Sequence, residues 1–201
     1  MIQYLRSSTD QSILLQDSLQ LGSWLRCERP NEEEVAELLT LGMDVDIISD
    51  ALDPHEVPRI EFDGEWTYLI ARLPDTDDDF NDFTTPILFG IHKDYVVTLS
   101  RDSLGRLWQP FIDKVRIATS RRIELVVAMI EAVSNQYQRR VATINRQMRA
   151  ATDDIHTLRA RDIVTLTEYE RKLNDYLDAL LPMNWAIERL IANRSLRLKD
   201  D

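Results

Sequence analysis

The pattern of apolar and polar positions divides the chain into two parts. Before residue 104, short apolar runs alternate with turn residues, which is typical of strands and short helices. After residue 105, apolar residues recur every three or four positions over long stretches, which is typical of amphipathic helices. We therefore predict a sheet region over residues 1–104 and a helical region over residues 105–201 that packs on it, as parts of one continuous domain.

At least five strands are predicted in the first part, with most neighbouring strands antiparallel. Two-residue turn signals, Asp63-Gly64 and Lys93-Asp94, indicate that four of these strands form two β-hairpins. The predicted strands lie in residues 22–30, 60–62, 66–73, 84–92 and 95–100.

Two short helices are predicted between the first strand and the first hairpin. Asn31 can cap the first helix, with Glu34 completing a capping box, and Gly42 can end it in the left-handed conformation. The second helix stops before Pro54. Together with the strands, these helices predict an α+β fold, in which an α/β/α layered domain holds a largely antiparallel sheet.

The second part predicts a long antiparallel helical hairpin. Apolar residues recur in steps of three and four from Ile123 to Leu158, with one stutter, and again from Leu166 to Leu190. Thr165 with Glu168 has the spacing of a capping box and indicates the start of the second helix. Pro182 predicts a bend in that helix.

Charge is distributed as unevenly as hydrophobicity. Residues 1–104 carry 7 Lys/Arg and 22 Asp/Glu, a net of −15, whereas residues 105–201 carry 17 and 13, a net of +4; the chain total is −11. An acidic first half repels phosphate backbones, so nucleic acid is not expected as its partner. The charge would suit cations, and it can equally serve solubility alone. The single cysteine, Cys27, excludes an internal disulfide and is predicted to be a buried small hydrophobe.

No catalytic motif is recognisable, so an enzyme is not expected. The acidic segment 75–82 begins with the spacing of an EF-hand loop, but Phe80 and Pro86 occupy the positions that need Gly and Glu. A solvated loop or a weak surface for divalent ions is the prediction there. The three histidines have no zinc-ligand spacing: they are His55, His92 and His156.

Several motifs in a fixed order resemble the cytosolic domain of CorA-type magnesium transporters. The segments are WLRCERPNEEEVAELL (24–39), LGMDVDIISDALDPHEVPRIEFDGEWTYLIARLP (41–74) and TTPILFGIHKDYVVTLSRD (84–102). The resemblance covers roughly residues 20–196, including the two long helices. The residues that carry it are Gly42, Asp50, His55, Pro58, Arg59, Glu61, Phe62, Tyr68, Leu69, Arg72 and Thr98.

The resemblance implies a regulatory, cation-sensing domain of a magnesium (magnesium/cobalt) channel. In that family five subunits assemble at the cytoplasmic face of the inner membrane, and a stalk helix leads into two membrane spans with a Gly-Met-Asn motif between them. In several members of that family, divalent cations between neighbouring cytosolic domains hold the pore closed. This chain ends at Asp201, so we expect either an excised soluble domain or a short relative, which would not itself conduct ions.

The resemblance singles out Asp50 as a ligand of the regulatory cation. Ser49 takes the place of a second acidic ligand found in other members and offers a neutral oxygen. The partner carboxylate lies on the stalk helix, so Mg²⁺ binding is expected to be weak in this chain, with no organic cofactor and no catalytic residue. Asp53 is predicted to cap the turn into Pro54, with Glu56 and Glu61 facing solvent. The predicted metal ligands are therefore two residues, Asp50 and Ser49.

Other interpretations stay open at this level. Asp50 can be an ordinary solvated helix residue. The chain can belong to the zinc-transporting branch of the same family, although no softer ligand set is visible. It can also be a free-standing interaction protein built on the helical hairpin.

We predict that the chain is monomeric or weakly associated at micromolar concentration. A net charge of −11 on each copy opposes association, and the stalk and spans that join five copies in the family do not occur in this sequence. Sedimentation analysis in low-magnesium buffer tests this expectation, and a stable pentamer would contradict it.

Overall fold

The computed structural model describes residues 1–76, 82–152 and 160–193. Within these residues, seven strands and five helices form three layers. The strands are β1 (Ile2–Ser7), β2 (Ile13–Gln16), β3 (Trp24–Glu28), β4 (Arg59–Asp63), β5 (Trp66–Thr76), β6 (Asp82–Ile91) and β7 (Val96–Ser100). The helices are α1 (Glu32–Thr40), α2 (Val45–Leu52), α3 (Gly105–Lys114), α4 (Arg122–Thr152) and α5 (Ala160–Ala192).

The strands form one sheet in the order β2-β1-β3-β7-β6-β5-β4. Every neighbouring pair is antiparallel except β3 and β7, which run parallel with Trp24 opposite Val96. The indole N–H of Trp24 donates to Thr98 Oγ1 across this pair at 2.8 Å, which gives the buried ring a partner. The prediction of an α+β fold with a largely antiparallel sheet is therefore confirmed.

The N-terminal hairpin of β1 and β2 was not predicted. Its turn lacks glycine, and Gln11 instead takes the left-handed conformation with φ 62°. Leu14 and Leu15 on β2 are both exposed, so the strand has no alternation of apolar and polar residues. Neither of the usual sequence signals for a hairpin is present.

Two short helices cover one face of the sheet, and their boundaries confirm the predictions. Asn31 Oδ1 accepts from the N–H of Glu34 at 2.8 Å, and Asn31 N–H donates to the Glu34 carboxylate at 3.0 Å. Gly42 follows α1 with φ 82°. Asp44 caps α2 by accepting from two N–H groups of its first turn, at 2.8 and 3.1 Å.

The sheet separates two apolar cores. Successive residues of β5 point to opposite faces, so Tyr68 and Ile70 join the core under α1 and α2, whereas Leu69, Ala71 and Leu73 join the core under α3, α4 and α5. Burying each large apolar side chain contributes roughly 1.5–3 kcal/mol. Helices on both faces of the sheet give the predicted α/β/α layers.

The two long helices form the predicted antiparallel hairpin. Both pack on β5 and on each other. The rings of Tyr137 and Tyr176 meet edge to face, with centroids 5.4 Å apart, at similar distances along the chain from the connection between the helices. Tyr137 also donates its hydroxyl hydrogen to the carbonyl of Arg72 at 3.0 Å, which ties α4 to the sheet.

Two turn and helix boundaries differ from the predictions. The first hairpin turn is Gly64-Glu65, one residue later than predicted, because Asp63 still pairs with Trp66 in the ladder. The second long helix already includes Ala160, so Thr165 lies inside it rather than at its start. A capping box works only where the preceding backbone is not helical, and here the helix already includes the preceding turn.

Other predictions for the helical region remain as predictions. Helix α5 continues as one helix on both sides of Pro182, and a bend there is still expected. The domain boundary near residue 104 also remains a prediction.

Gly90 on β6 makes room for the ring of Trp66. A Cβ atom at Gly90 would lie 3.2 Å from Cζ3 of Trp66, closer than an ordinary contact. Trp66 stacks on Tyr68 with ring centroids 5.5 Å apart and an interplanar angle of 9°. The close approach of backbone to ring therefore favours glycine at this position, because a larger residue would have to shift the ring by a few tenths of an ångström.

Gly90→Ala should destabilise the protein by about 1–3 kcal/mol, because the added methyl group overpacks a core that includes Trp66. Gly105→Ala is the matched control: a Cβ atom there meets nothing within 4 Å, at the first residue of α3. The control should be neutral or stabilising by up to about 1 kcal/mol. Urea unfolding measures both, and equal midpoints for the two variants would contradict the packing argument.

Candidate functional site

Helix α2 presents its acidic side to solvent because its apolar side is buried. Ile47, Ile48 and Ala51 are buried against the sheet. Ser49 is exposed, and the side chain of Asp50 is 39% exposed. Asp50 lies in the last turn of the helix, where the helix dipole disfavours a carboxylate and favours a cation.

The start of α2 is held by a tyrosine of β5. The N–H of Asp44 donates to the Tyr68 hydroxyl oxygen at 3.1 Å. Tyr68 is fully buried, and this burial raises the pKa of its hydroxyl to about 12. Since the hydroxyl stays neutral at physiological pH, it serves as a fixed acceptor for the helix start.

The loop after α2 is held by Arg72 of β5. Its guanidinium donates to the carbonyls of Pro54 and Glu56, at 2.9 and 2.7 Å, and to Thr84 on β6 through both the hydroxyl at 2.9 Å and the carbonyl. Burial lowers the pKa of Arg72. These four hydrogen bonds satisfy three backbone carbonyls and one hydroxyl together, which positions the loop over the edge of the sheet.

Asp53 shapes the same loop as predicted. Its carboxylate accepts from the N–H of His55 at 2.8 Å across Pro54. Glu61 is exposed as predicted. The prediction that Glu56 faces solvent is wrong, because its side chain is only 18% exposed and is paired with Arg59.

Arg59 gathers three carboxylates around one guanidinium. Its Nη2 donates to Asp50 Oδ2 at 2.5 Å, its Nε donates to Glu61 Oε1 at 2.6 Å, and its Nη1 donates to Glu56 Oε1. Partial burial opposes the charge, but the hydrogen bonds to Glu61 and Asp50 outweigh it and raise the pKa of Arg59. We call these four residues the Arg59 cluster. It carries three formal negative charges against one positive charge.

Sequence reasoning identified Arg59 as a motif residue but missed its pairing with Asp50. The two residues are nine positions apart, one on a helix and the other on a strand. The regular spacings of a helix or a strand relate residues within one element only. Asp50 and Arg59 meet because the loop between α2 and β4 folds back. The acids close to Arg59 in the chain were the only available signal.

Asp50 fits one position in the coordination shell of a hard cation. Its Oδ2 is bonded to Arg59, and its Oδ1 has no hydrogen-bond partner within the described residues. Carboxylate oxygen is the ligand that Mg²⁺ prefers, and Mg²⁺ usually keeps several of its waters. Ser49 lies next to Asp50 with an exposed hydroxyl. In the part of the chain that the structure describes, no group of three or more His, Cys, Asp or Glu could hold a metal ion.

The other candidate residues do not converge. His92 is buried between the rings of Trp66 and Tyr95, with centroids 4.8 and 4.7 Å away, whereas His55 is exposed on the loop after α2. His156 and residues 77–81 of the acidic segment lie outside the described residues.

Cys27 is fully buried, as predicted, and burial raises the pKa of its thiol to about 12. Such a thiol stays protonated and behaves as a small apolar side chain. Among the described helices, none combines the length and the apolar composition needed to span a bilayer.

Sequence comparison connects the chain with one family. A sequence model of the CorA-like Mg²⁺ transporter proteins matches residues 20–201. The cobalt/magnesium transport protein CorA of Methanocaldococcus jannaschii is 24% identical over 180 residues, which cover 86% of this chain and 53% of that protein. The chain therefore spans about half the length of this curated relative.

Structural comparison agrees on the fold. The soluble domain of CorA from Methanocaldococcus jannaschii matches with a TM-score of 0.83 and 20% identity, over 100% of this chain and 82% of that chain. The ZntB cytoplasmic domain from Vibrio parahaemolyticus matches with a TM-score of 0.74 and 15% identity, over 96% of this chain and 80% of that chain. Both matches show that the fold is shared.

Tyr68→Phe should cost about 1 kcal/mol at pH 7, because the N–H of Asp44 loses its acceptor. The pKa of Tyr68 is raised from 10.0 to about 12 in the folded state. Its contribution to stability is therefore complete below pH 10 and is lost as the pH rises towards 12. Urea unfolding at pH 7, 10 and 11 should show the difference between wild type and variant shrinking with pH. A constant or growing difference would contradict this role.

Proposed function

The chain belongs to the CorA-like Mg²⁺ transporter family, and from that premise we propose that it is the regulatory, cation-sensing cytosolic part of a magnesium/cobalt channel. The observation that carries the proposal is Asp50, which lies at the solvent-facing end of α2 with one carboxylate oxygen without a hydrogen-bond partner in the described chain. The curated relative is itself described as a cobalt/magnesium transport protein.

In this proposal the domain acts by binding and carries out no covalent chemistry. Asp50 supplies one hard oxygen to a divalent ion, with Ser49 as a neutral donor beside it, and the remaining ligands come from water and from a neighbouring copy. An ion shared between two acidic copies offsets their mutual repulsion, and its loss allows them to move. The ion therefore favours one arrangement of the assembly, which the proposal equates with the closed pore.

The same proposal sets the assembly and its location. Five copies in the full-length protein would lie at the cytoplasmic face of the membrane, with the pore formed by further segments. The charge of residues 1–104, a net of −15, makes such an arrangement dependent on cations.

Zinc is the second candidate ion, because the fold also matches the ZntB cytoplasmic domain. Zinc selects nitrogen and sulfur ligands more strongly than magnesium does. The adjacent donors on α2 are oxygens, Asp50 and Ser49, and the loop that follows adds one exposed nitrogen donor, His55. A set made mainly of oxygens favours magnesium. Thermal melts with millimolar Mg²⁺, Ca²⁺ or Zn²⁺ compare the ions directly, and stabilisation by zinc alone would favour the zinc branch.

Asp50→Asn in the full-length protein should weaken closure of the pore by high internal Mg²⁺. Folding should change by about 1 kcal/mol or less, because the ion pair with Arg59 is partly exposed. The measurement is Mg²⁺ flux into vesicles at increasing internal Mg²⁺. Asp17→Asn, an exposed acid on the N-terminal part of the chain, is the charge-matched control.

The control should close over the wild-type range of concentration, and the Asp50 variant should need several times more Mg²⁺. If both variants close over the wild-type range, Asp50 is a solvated helix residue and the proposed sensing role is wrong.

A further inference from the structure

We propose that Arg59 is a built-in competitor for the divalent cation at Asp50, and that it sets the concentration range over which Asp50 responds. This inference rests on the proposed function, since it takes Asp50 as a cation ligand. It assigns to Arg59 a regulatory role in addition to its structural one.

The geometry places Arg59 where a competing cation has to be. It is the first residue of β4, an edge strand of the sheet, and its backbone is held in register opposite Ile70. Its side chain is 31% exposed, and its Nη2 lies 2.5 Å from Asp50 Oδ2. A metal ion that binds Asp50 must either share the carboxylate with this guanidinium through Oδ1 or displace it from Oδ2.

Either route lowers the affinity for the ion. A divalent cation on Oδ1 approaches the positive guanidinium on the other side of the same carboxylate, so the two cations repel each other. Removing one unit charge roughly 6 Å from a divalent ion in water changes its binding by about tenfold. Salt weakens this repulsion, so the effect is largest at low ionic strength.

The Arg59 cluster also makes the exchange possible. If Asp50 turns towards a metal ion, Arg59 keeps its hydrogen bonds to Glu56 and Glu61. The guanidinium therefore loses one of three partners and stays in place. Asp50 can therefore exchange the Arg59 guanidinium for a metal ion from solvent, and the guanidinium stays paired with Glu56 and Glu61.

The test is a titration of the 201-residue chain with Mn²⁺, a paramagnetic cation that accepts the oxygen ligands of Mg²⁺. Broadening of the amide signals of residues 49–51 in ¹H–¹⁵N spectra reports Mn²⁺ bound near the end of α2, and the part of it that Asp50→Asn removes is assigned to Asp50. Wild type is compared at low ionic strength with Arg59→Gln, Arg59→Lys and Asp50→Asn. Arg121→Gln is the control, because it removes an equal charge from a distant, exposed ion pair.

Arg59→Gln should reach half-broadening at about tenfold lower Mn²⁺ than wild type. Arg59→Lys keeps the charge and should remain within about twofold of wild type, and so should Arg121→Gln. Asp50→Asn should abolish the local broadening. A merely structural role for Arg59 would instead make Arg59→Gln bind more weakly or equally.

The outcomes separate the two proposals. If Asp50→Asn abolishes the broadening but Arg59→Gln does not bind more tightly, the competitor role is wrong and the proposed function stands. If Asp50→Asn broadens like wild type, Asp50 is no ligand and both proposals fail.

A second variant covers the case in which Arg59→Gln does not fold, because that change leaves three carboxylates without their cation. The double variant Arg59→Gln with Glu61→Gln restores the wild-type net charge and removes one of the repelling acids. It should still bind Mn²⁺ more tightly than wild type at residues 49–51. Binding equal to or weaker than wild type in a folded double variant would overturn the proposal.

Discussion

The central strands of the sheet are buried on both faces, and the rest of the structure depends on this constraint. All five residues of β7 are buried, and so are most residues of β5. Strands of this kind need apolar cover on both sides. Helices α1 and α2 supply it on one face, and α3, α4 and α5 supply it on the other.

The position of the candidate site follows from that cover. Because helix α2 buries Ile47, Ile48 and Ala51 against the sheet, Asp50 lies at the border between the buried and the exposed side of the helix. The burial of apolar side chains is the larger energy, at roughly 1.5–3 kcal/mol for each large one, whereas an exposed ion pair contributes about 0–1 kcal/mol. Packing of the core therefore sets where the Asp50 carboxylate lies, and the ion pair with Arg59 makes a smaller contribution to its position.

Two arginines near the loop after α2 have different roles because their surroundings differ. Arg72 is half-buried and bonds mainly to backbone carbonyls, so it fixes the loop after α2. Arg59 is more exposed and bonds to three carboxylates, so its partners can exchange with solvent cations. The first arrangement favours rigidity, and the second leaves the site responsive to ions.

Local interactions made most of the fold predictable from the sequence alone. The Asn31 cap, the glycine after α1, the stop before Pro54 and the long helical periodicities each depend on neighbours within a few residues. The hairpin of β1 and β2 lacked such a signal, because Gln11 replaces glycine in the turn and Leu14 and Leu15 are exposed.

For the candidate site, the order of motifs was enough to single out Asp50, but only the tertiary structure decided what surrounds it. Arg59 reaches Asp50 because Arg72 and the cover of the sheet bring the loop back over the end of α2. Contacts of this kind join a helix to a strand through packing, so they leave no fixed spacing in the sequence. Composition and periodicity therefore determined the layers of this protein. Long-range packing decided that the Arg59 guanidinium lies beside Asp50, the candidate metal ligand.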